Sequence, residues 1–108
     1  MKGTHLGEFE ELVLLTVGVL HGNAYGVSIG KAIEEKMRRS ITISTVHTVL
    51  YRLEEKGFVQ SEFGGSTSAR GGRKKRLYHI TERGYQALKE VRTLRDQMWA
   101  LMPNYSFR

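Results

Sequence analysis

The chain contains no cysteine, which removes a disulfide framework, a thiolate nucleophile and any thiolate metal site. Its single proline, Pro103, stands after the last predicted helix rather than inside one. The longest apolar stretch, around Leu12 to Leu20, is too short to span a bilayer, and no N-terminal apolar segment with a small-residue cleavage site precedes it. A cytoplasmic location without membrane association is therefore expected, and the glycosylation sequon at Asn104-Tyr105-Ser106 reads as chance. The four histidines, His5, His21, His47 and His79, fall on different segments with no i, i+4 pair and no H-E-x-x-H. The glycine-rich stretch never becomes a phosphate-binding G-x-x-x-x-G-K-[ST], and neither Ser66 nor Ser68 sits in G-x-S-x-G. These absences leave no catalytic residues, no metal site and no cofactor to propose. Acid is also scarce: 11 Asp and Glu stand against 17 Lys and Arg in 108 residues, a net charge of +6. That balance favours nucleic acid or another anionic surface as partner.

What is present is organised around Ser44 to Gly57, STVHTVLYRLEEKG. Val46, Val49, Leu50 and Leu53 recur at i, i+3, i+4 and i+7, which places them on one face of a helix. Ser44 is the predicted N-cap and Gly57 the C-terminal residue with positive φ. The outer face then carries Thr45, His47, Thr48, Tyr51 and Arg52, with no acid before Glu54. Hydroxyls and one Arg are also what an ordinary solvated helix face carries, so the neighbouring segments decide.

Before this helix, Glu8, Glu10 and Glu11 open a first helix at the end where the macrodipole favours carboxylates. Phe9, Leu12, Val13, Val17 and Leu20 form its core stripe, while Leu14, Leu15 and Val19 make it apolar nearly all round, as a helix buried against a second chain would be. His21-Gly22-Asn23 reads as a turn into a helix from about Ala24 to Arg38, with Ile29, Ala32, Ile33 and Met37 facing inward and Gly26 and Gly30 permitting close approach. Ser40 to Ile43 is an extended link. After Gly57, Phe58 to Phe63 alternates as a strand, Gly64 to Gly72 forms a mobile tip, and Arg73 to Ile80 returns as the second strand. From Arg70 to Arg76 the tip and return leg hold five positive charges, Arg70, Arg73, Lys74, Lys75 and Arg76, and no negative one. Thr81 caps a last helix reaching about Met102, along which Ala87, Val91, Leu94, Met98 and Leu101 repeat at 4, 3, 4 and 3.

The order is helix, helix, helix, hairpin with a basic tip, helix: a mainly α chain with a small β-hairpin. Residues 1–81 read as a winged helix-turn-helix DNA-binding region and 82–108 as a dimerisation helix and tail, together one compact domain. A major groove admits a helix, and a basic loop beside it reaches flanking phosphates or the next minor groove. Thr45, His47, Thr48 and Arg52 are candidates for reading bases in double-stranded DNA. Ser44, Tyr51 and the five wing cations are candidates for holding phosphate. The alternative is a winged-helix interaction module whose basic wing meets an acidic protein; a salt-insensitive association would favour it.

The runs LHGNAYGVSIGKAIEEK, TVHTVLYRLEEKGFVQSEF and GGRKKRLYHITERGYQAL resemble the PadR family of winged-helix transcriptional regulators over roughly Leu12 to Leu88. The resemblance implies a homodimeric DNA-binding repressor whose C-terminal helix drives dimerisation, packed against the partner's N-terminal helix. Leu14, Leu15, Ala87, Val91, Leu94, Met98 and Leu101 are the interface candidates. Tyr25 falls in the family's Tyr-Gly turn, Tyr51 in its Leu-Tyr pattern and Arg73 to Arg76 in its basic wing. A single C-terminal helix matches the short branch, some members of which hold flat aromatic compounds between tryptophans of the paired last helices. Trp99 and Met102 are then candidate contacts for a small aromatic effector; the plainer reading, which large aromatics favour, is that Trp99 anchors a dimer interface with Met98 and Met102. A two-fold dimer implies a roughly palindromic operator with half-sites about 10 bp apart or a multiple of that.

Overall fold

The computed structural model describes residues 5–38, 40–64 and 75–107. The expected tip apart from Gly64, and three of the expected wing cations, Arg70, Arg73 and Lys74, lie outside the described residues. Four helices and one hairpin follow in the predicted order: α1 (Glu8–Val19), α2 (Gly26–Met37), α3 (Ile43–Glu55), β1 (Val59–Gly64), β2 (Lys75–Ile80) and α4 (Glu82–Leu101).

Local chemistry sets the element ends. At the start of α1 the Gly7 N–H donates to Glu10 Oε1 at 2.8 Å, satisfying an amide that the helix leaves without an acceptor. Helix α2 begins two residues later than its sequence suggests. The Ala24 carbonyl accepts from Tyr78 N at 2.8 Å, so Ala24 serves as a strand partner, and Tyr25 N donates to Ser28 Oγ at 3.0 Å. Helix α3 is capped by Thr42 rather than Ser44: Thr42 Oγ1 accepts from Thr45 N at 3.2 Å, and Ile43 joins the helix instead of the preceding link. Its far end closes as expected on Gly57 at φ 81°, with Phe58 N to Leu53 O at 2.9 Å and Gly57 N to Glu54 O at 3.0 Å, the paired bonds of a left-handed helix stop.

Strands β1 and β2 are antiparallel, with Val59 opposite Ile80 and Gly64 opposite Lys75. Thr81 joins the hairpin to α4 and to the end of α3 at once. Its hydroxyl accepts from Gly84 N at 3.0 Å and donates to Gly57 O at 2.7 Å. Gly84 lies so close beneath Phe58 that a Cβ there would collide with the Phe58 carbonyl.

Val13, Leu14 and Val17 of α1, Ile29 and Ile33 of α2, Val46, Leu50 and Leu53 of α3, and Phe58, Val59 and Tyr78 of the hairpin form one core. At about 1.5–3 kcal/mol per fully buried large side chain, this cluster fixes the hairpin on the three helices. Leu14 is 0% exposed within it. It offers nothing to a partner chain, contrary to the expectation from the sequence, because the side of α1 that carries Val13, Leu14 and Val17 is covered by the chain's own α2, α3 and hairpin. Ala87 is likewise buried in the core, whereas Leu15 and Val19 stay exposed.

Helix α4, about 30 Å long at 1.5 Å per residue, contributes only Ala87 and Leu88 to this core and runs on with one side against the start of α1 and the rest of its surface exposed. Leu94, Trp99 and Leu101 are 59%, 71% and 77% exposed. The radius of gyration, 16.5 Å, exceeds the roughly 13 Å of a compact chain this long. No helix among the described residues is long and apolar enough to cross a membrane.

Candidate nucleic-acid interface

Because Val46, Val49, Leu50 and Leu53 all face the core, Ser44, Thr48 and Tyr51 line up on the opposite side of α3, three and four residues apart. Tyr51 is 63% exposed, so its ring is a surface group rather than a braced core aromatic. Thr48 Oγ1 donates to its own helix at Ser44 O, 2.9 Å away, which leaves the hydroxyl free to accept. Thr42, Ser44 and Thr45 form a hydroxyl cluster at the helix start, with Thr42 Oγ1 2.8 Å from Thr45 Oγ1 and 3.3 Å from Ser44 Oγ. Of the first-turn amides there, Thr45 N is taken by Thr42, which leaves those of Ile43 and Ser44 without an intrahelical acceptor. This half of α3 is free of acid; Glu54 and Glu55 lie in its last turn.

His47 and Arg52 flank this ridge on opposite sides, about 140° apart around the helix at 3.6 residues per turn. His47 lies against α2. A Cβ on Gly26 would come within 2.8 Å of its ring, so the missing side chain lets the two helices meet. Gly30 plays a milder version of that role, its position being an ordinary contact distance from Val46. Arg52 turns toward α1. It shares a groove of about 540 Å³ with Thr45, Thr48, Lys56, Glu10 and His5.

The loop end of the hairpin, where Gly64 faces Lys75, is tied to the helices through two links, one to the start of α2 and one to the last turn of α3. Lys75 Nζ lies 4.2 Å from the ring centroid of Tyr25, the residue before Gly26. Arg76 lies over the Phe63 ring at 4.3 Å and donates to Ser61 Oγ at 2.6 Å; Ser61 in turn donates to Glu54 Oε2 on α3 at 2.8 Å. Cation–π contacts of this kind hold the charged heads at the surface while the stems pack. Lys75 and Arg76, both exposed, are thereby tied to the start of α2 and, through Ser61, to Glu54 in the last turn of α3.

Two residues that matter for this geometry were not singled out by sequence reasoning. Lys56 Nζ is 2.8 Å from Glu10 Oε1, joining the end of α3 to the start of α1, and Arg95 Nη2 is 3.0 Å from Glu11 Oε1, joining α4 to the same turn. Burial by itself would push the Glu10 carboxyl up; the Lys56 and Gly7 hydrogen bonds and the charges of Lys56 and Arg52 outweigh it and hold the carboxyl below its usual range. Three carboxylates crowded into one helical turn were the available signal. On α4, His5, Leu6, Val91, Leu94, Arg95, Met98 and Trp99 line a second groove of about 480 Å³, which Met102 does not reach.

Residues 14–90 match the transcriptional regulator PadR-like family. Similar solved structures include a PadR-like transcription factor from Bacteroides fragilis, at 24% identity over 85% of this chain and 84% of that one, with a TM-score of 0.69. A PadR family transcriptional regulator from Eggerthella lenta is 26% identical over 87% of this chain and 83% of that one, with a TM-score of 0.61. Bacillus subtilis PadR, solved in complex with operator DNA, is 18% identical over 94% of this chain but 51% of its own length, with a TM-score of 0.61. Among curated proteins none matches.

Proposed function

The chain belongs to the PadR-like family of transcriptional regulators, which are not enzymes, and on that premise we propose that it is a homodimeric repressor reading a roughly palindromic operator. The observation that carries the reading is the exposed, acid-free first half of α3, with the exposed cations Lys75 and Arg76 held at the start of α2 and, through Ser61, at the last turn of α3. Thr45, His47, Thr48 and Arg52 read base edges from the major groove. Ser44, Tyr51 and the wing cations Arg70, Arg73, Lys74, Lys75 and Arg76 hold phosphates, which fixes register without carrying sequence information. Arg52, on the α1 flank, reaches a base only if α3 enters the groove tilted toward that side. The operator complex of the Bacillus subtilis protein supports this use of the fold.

Two copies present the ridge twice. The exposed Leu94, Met98 and Leu101, with Leu15 and Val91, supply the apolar surface that pairs them. A small aromatic effector fits the α4 groove beside Trp99 and would release the DNA by changing how the two copies are set. Selection of bound duplexes from a random pool tests the reading. The recovered sequences are expected to contain an inverted repeat with half-sites about 10 bp apart or a multiple of that. A pool that emerges without enrichment, or with a single unrepeated site, contradicts it.

A further inference from the structure

We propose that the first turn of α1 is a joint coupling the α4 groove to the end of α3, with Lys56, Glu10 and Glu11 as positioning residues. The inference rests on the DNA-binding reading above. Lys56 follows the last residue of α3, and its ammonium is held by two groups from the chain's beginning, the His5 carbonyl at 2.6 Å and Glu10 Oε1 at 2.8 Å. Glu11, the next residue, holds Arg95 of α4 at 3.0 Å. Two adjacent carboxylates on one turn therefore hold two elements that are otherwise far apart in the chain. His5 lines both grooves: the one against α4, with Leu6 and Arg95, and the one against α3, with Lys56 and Arg52.

The residues around His5 are thus a common wall. A change in the α4 groove that shifts His5 takes an acceptor from Lys56, and one that moves Arg95 pulls on Glu11, beside the other acceptor. Either route reaches the turn of α3 that carries Arg52. Coupling between two binding sites is reciprocal, so DNA on α3 must also alter the α4 groove.

Trp99, the only tryptophan, lines that groove and reports it directly. The experiment titrates the full-length protein with a labelled duplex from the selection above, following duplex anisotropy for binding and Trp99 emission for the groove. In the wild type, binding shifts the emission. Lys56→Met still binds but loses at least half of that shift, and Lys56→Arg restores it. Glu11→Gln weakens the shift from the α4 side while duplex affinity stays within about threefold, the size expected of a half-exposed ion pair; it carries the test if Lys56→Met does not fold. An emission unmoved by duplex in the wild type, or a shift surviving both substitutions undiminished, overturns the coupling. A wild type that binds no duplex fails at the anisotropy step and overturns the DNA-binding reading instead.

Discussion

Replacing Lys56 by Met removes the charge that holds Glu10 while keeping most of the apolar stem. The Glu10 side chain is only 10% exposed and that of Lys56 23%, so the carboxylate is left without its cation in a largely dry site. Removing one partner of a fully buried pair costs about 3–5 kcal/mol. Here Lys56 keeps some solvent and Glu10 keeps the Gly7 N–H, which brings the expected loss to roughly 2–3 kcal/mol at pH 7, or about 10–20 °C in Tm for a chain this size. The pH dependence separates an electrostatic cause from a packing one. In the wild type the Glu10 carboxyl lies below its usual 4.5, so its stabilising contribution is present above that value and lost as pH falls through the lower folded value. In Lys56→Met the hydrogen bond and charge of Lys56 no longer oppose burial, so the carboxyl rises from its wild-type position and the stability that Glu10 contributes above 4.5 shrinks. The stability gap between the two proteins must widen from pH 4 to pH 6. Urea unfolding at one fixed protomer concentration measures it. A gap that stays constant over that range, or below about 0.5 kcal/mol throughout, would refute the reasoning.

Other perturbations probe different parts of the account. Gly84→Ala forces a Cβ against the Phe58 carbonyl where α4 leaves the hairpin, and is expected to cost more than about 3 kcal/mol in urea unfolding; an unchanged stability, or the gain of up to about 1 kcal/mol that Gly→Ala usually brings within a helix, would show that the crossing yields easily. Leu94→Glu places a charge on the exposed seam of α4 and should give monomers in sedimentation equilibrium with an unchanged far-UV spectrum; persisting dimers would move the interface elsewhere. Arg52→Ala should relax preference at one operator position, worth about 1–3 kcal/mol of discrimination, and leave affinity for random duplex nearly intact. A loss uniform over sequences would make Arg52 a phosphate contact.

Element order and the core faces of α2 and α3 were legible because they rest on local periodicity: Ile29, Ile33, Val46, Val49, Leu50 and Leu53 all point inward as their spacing predicts. The stops at Gly57 and Thr81 were legible for the same reason, since each is a short-range backbone requirement. What was misread depends on partners distant in the chain. Ala24 could not be seen to leave α2, because its carbonyl is claimed by Tyr78, 54 residues away. Two hydroxyl residues compete to start α3, and local sequence alone did not rank Thr42 above Ser44. Leu14 was assigned to a partner chain because an apolar helix face does not say whose core covers it. Within the candidate interface, the ridge of Ser44, Thr48 and Tyr51 followed from periodicity. The separation of His47 from Arg52 onto opposite flanks acquires meaning only with α2 and α1 in place. The Lys56–Glu10 link spans 46 residues and has no local signature beyond crowded charge.

The account stands on α3 and the base of the wing forming one DNA-binding surface. Its most direct test is the salt dependence of binding to a selected duplex, compared between the wild type and Lys75→Ala/Arg76→Ala. Each cation withdrawn from a phosphate should reduce the slope of log K against log salt by about 0.9, so the double variant in a two-chain complex should lose up to about 3.6. A variant that binds as tightly as the wild type with the same slope would place these cations away from DNA and contradict the account.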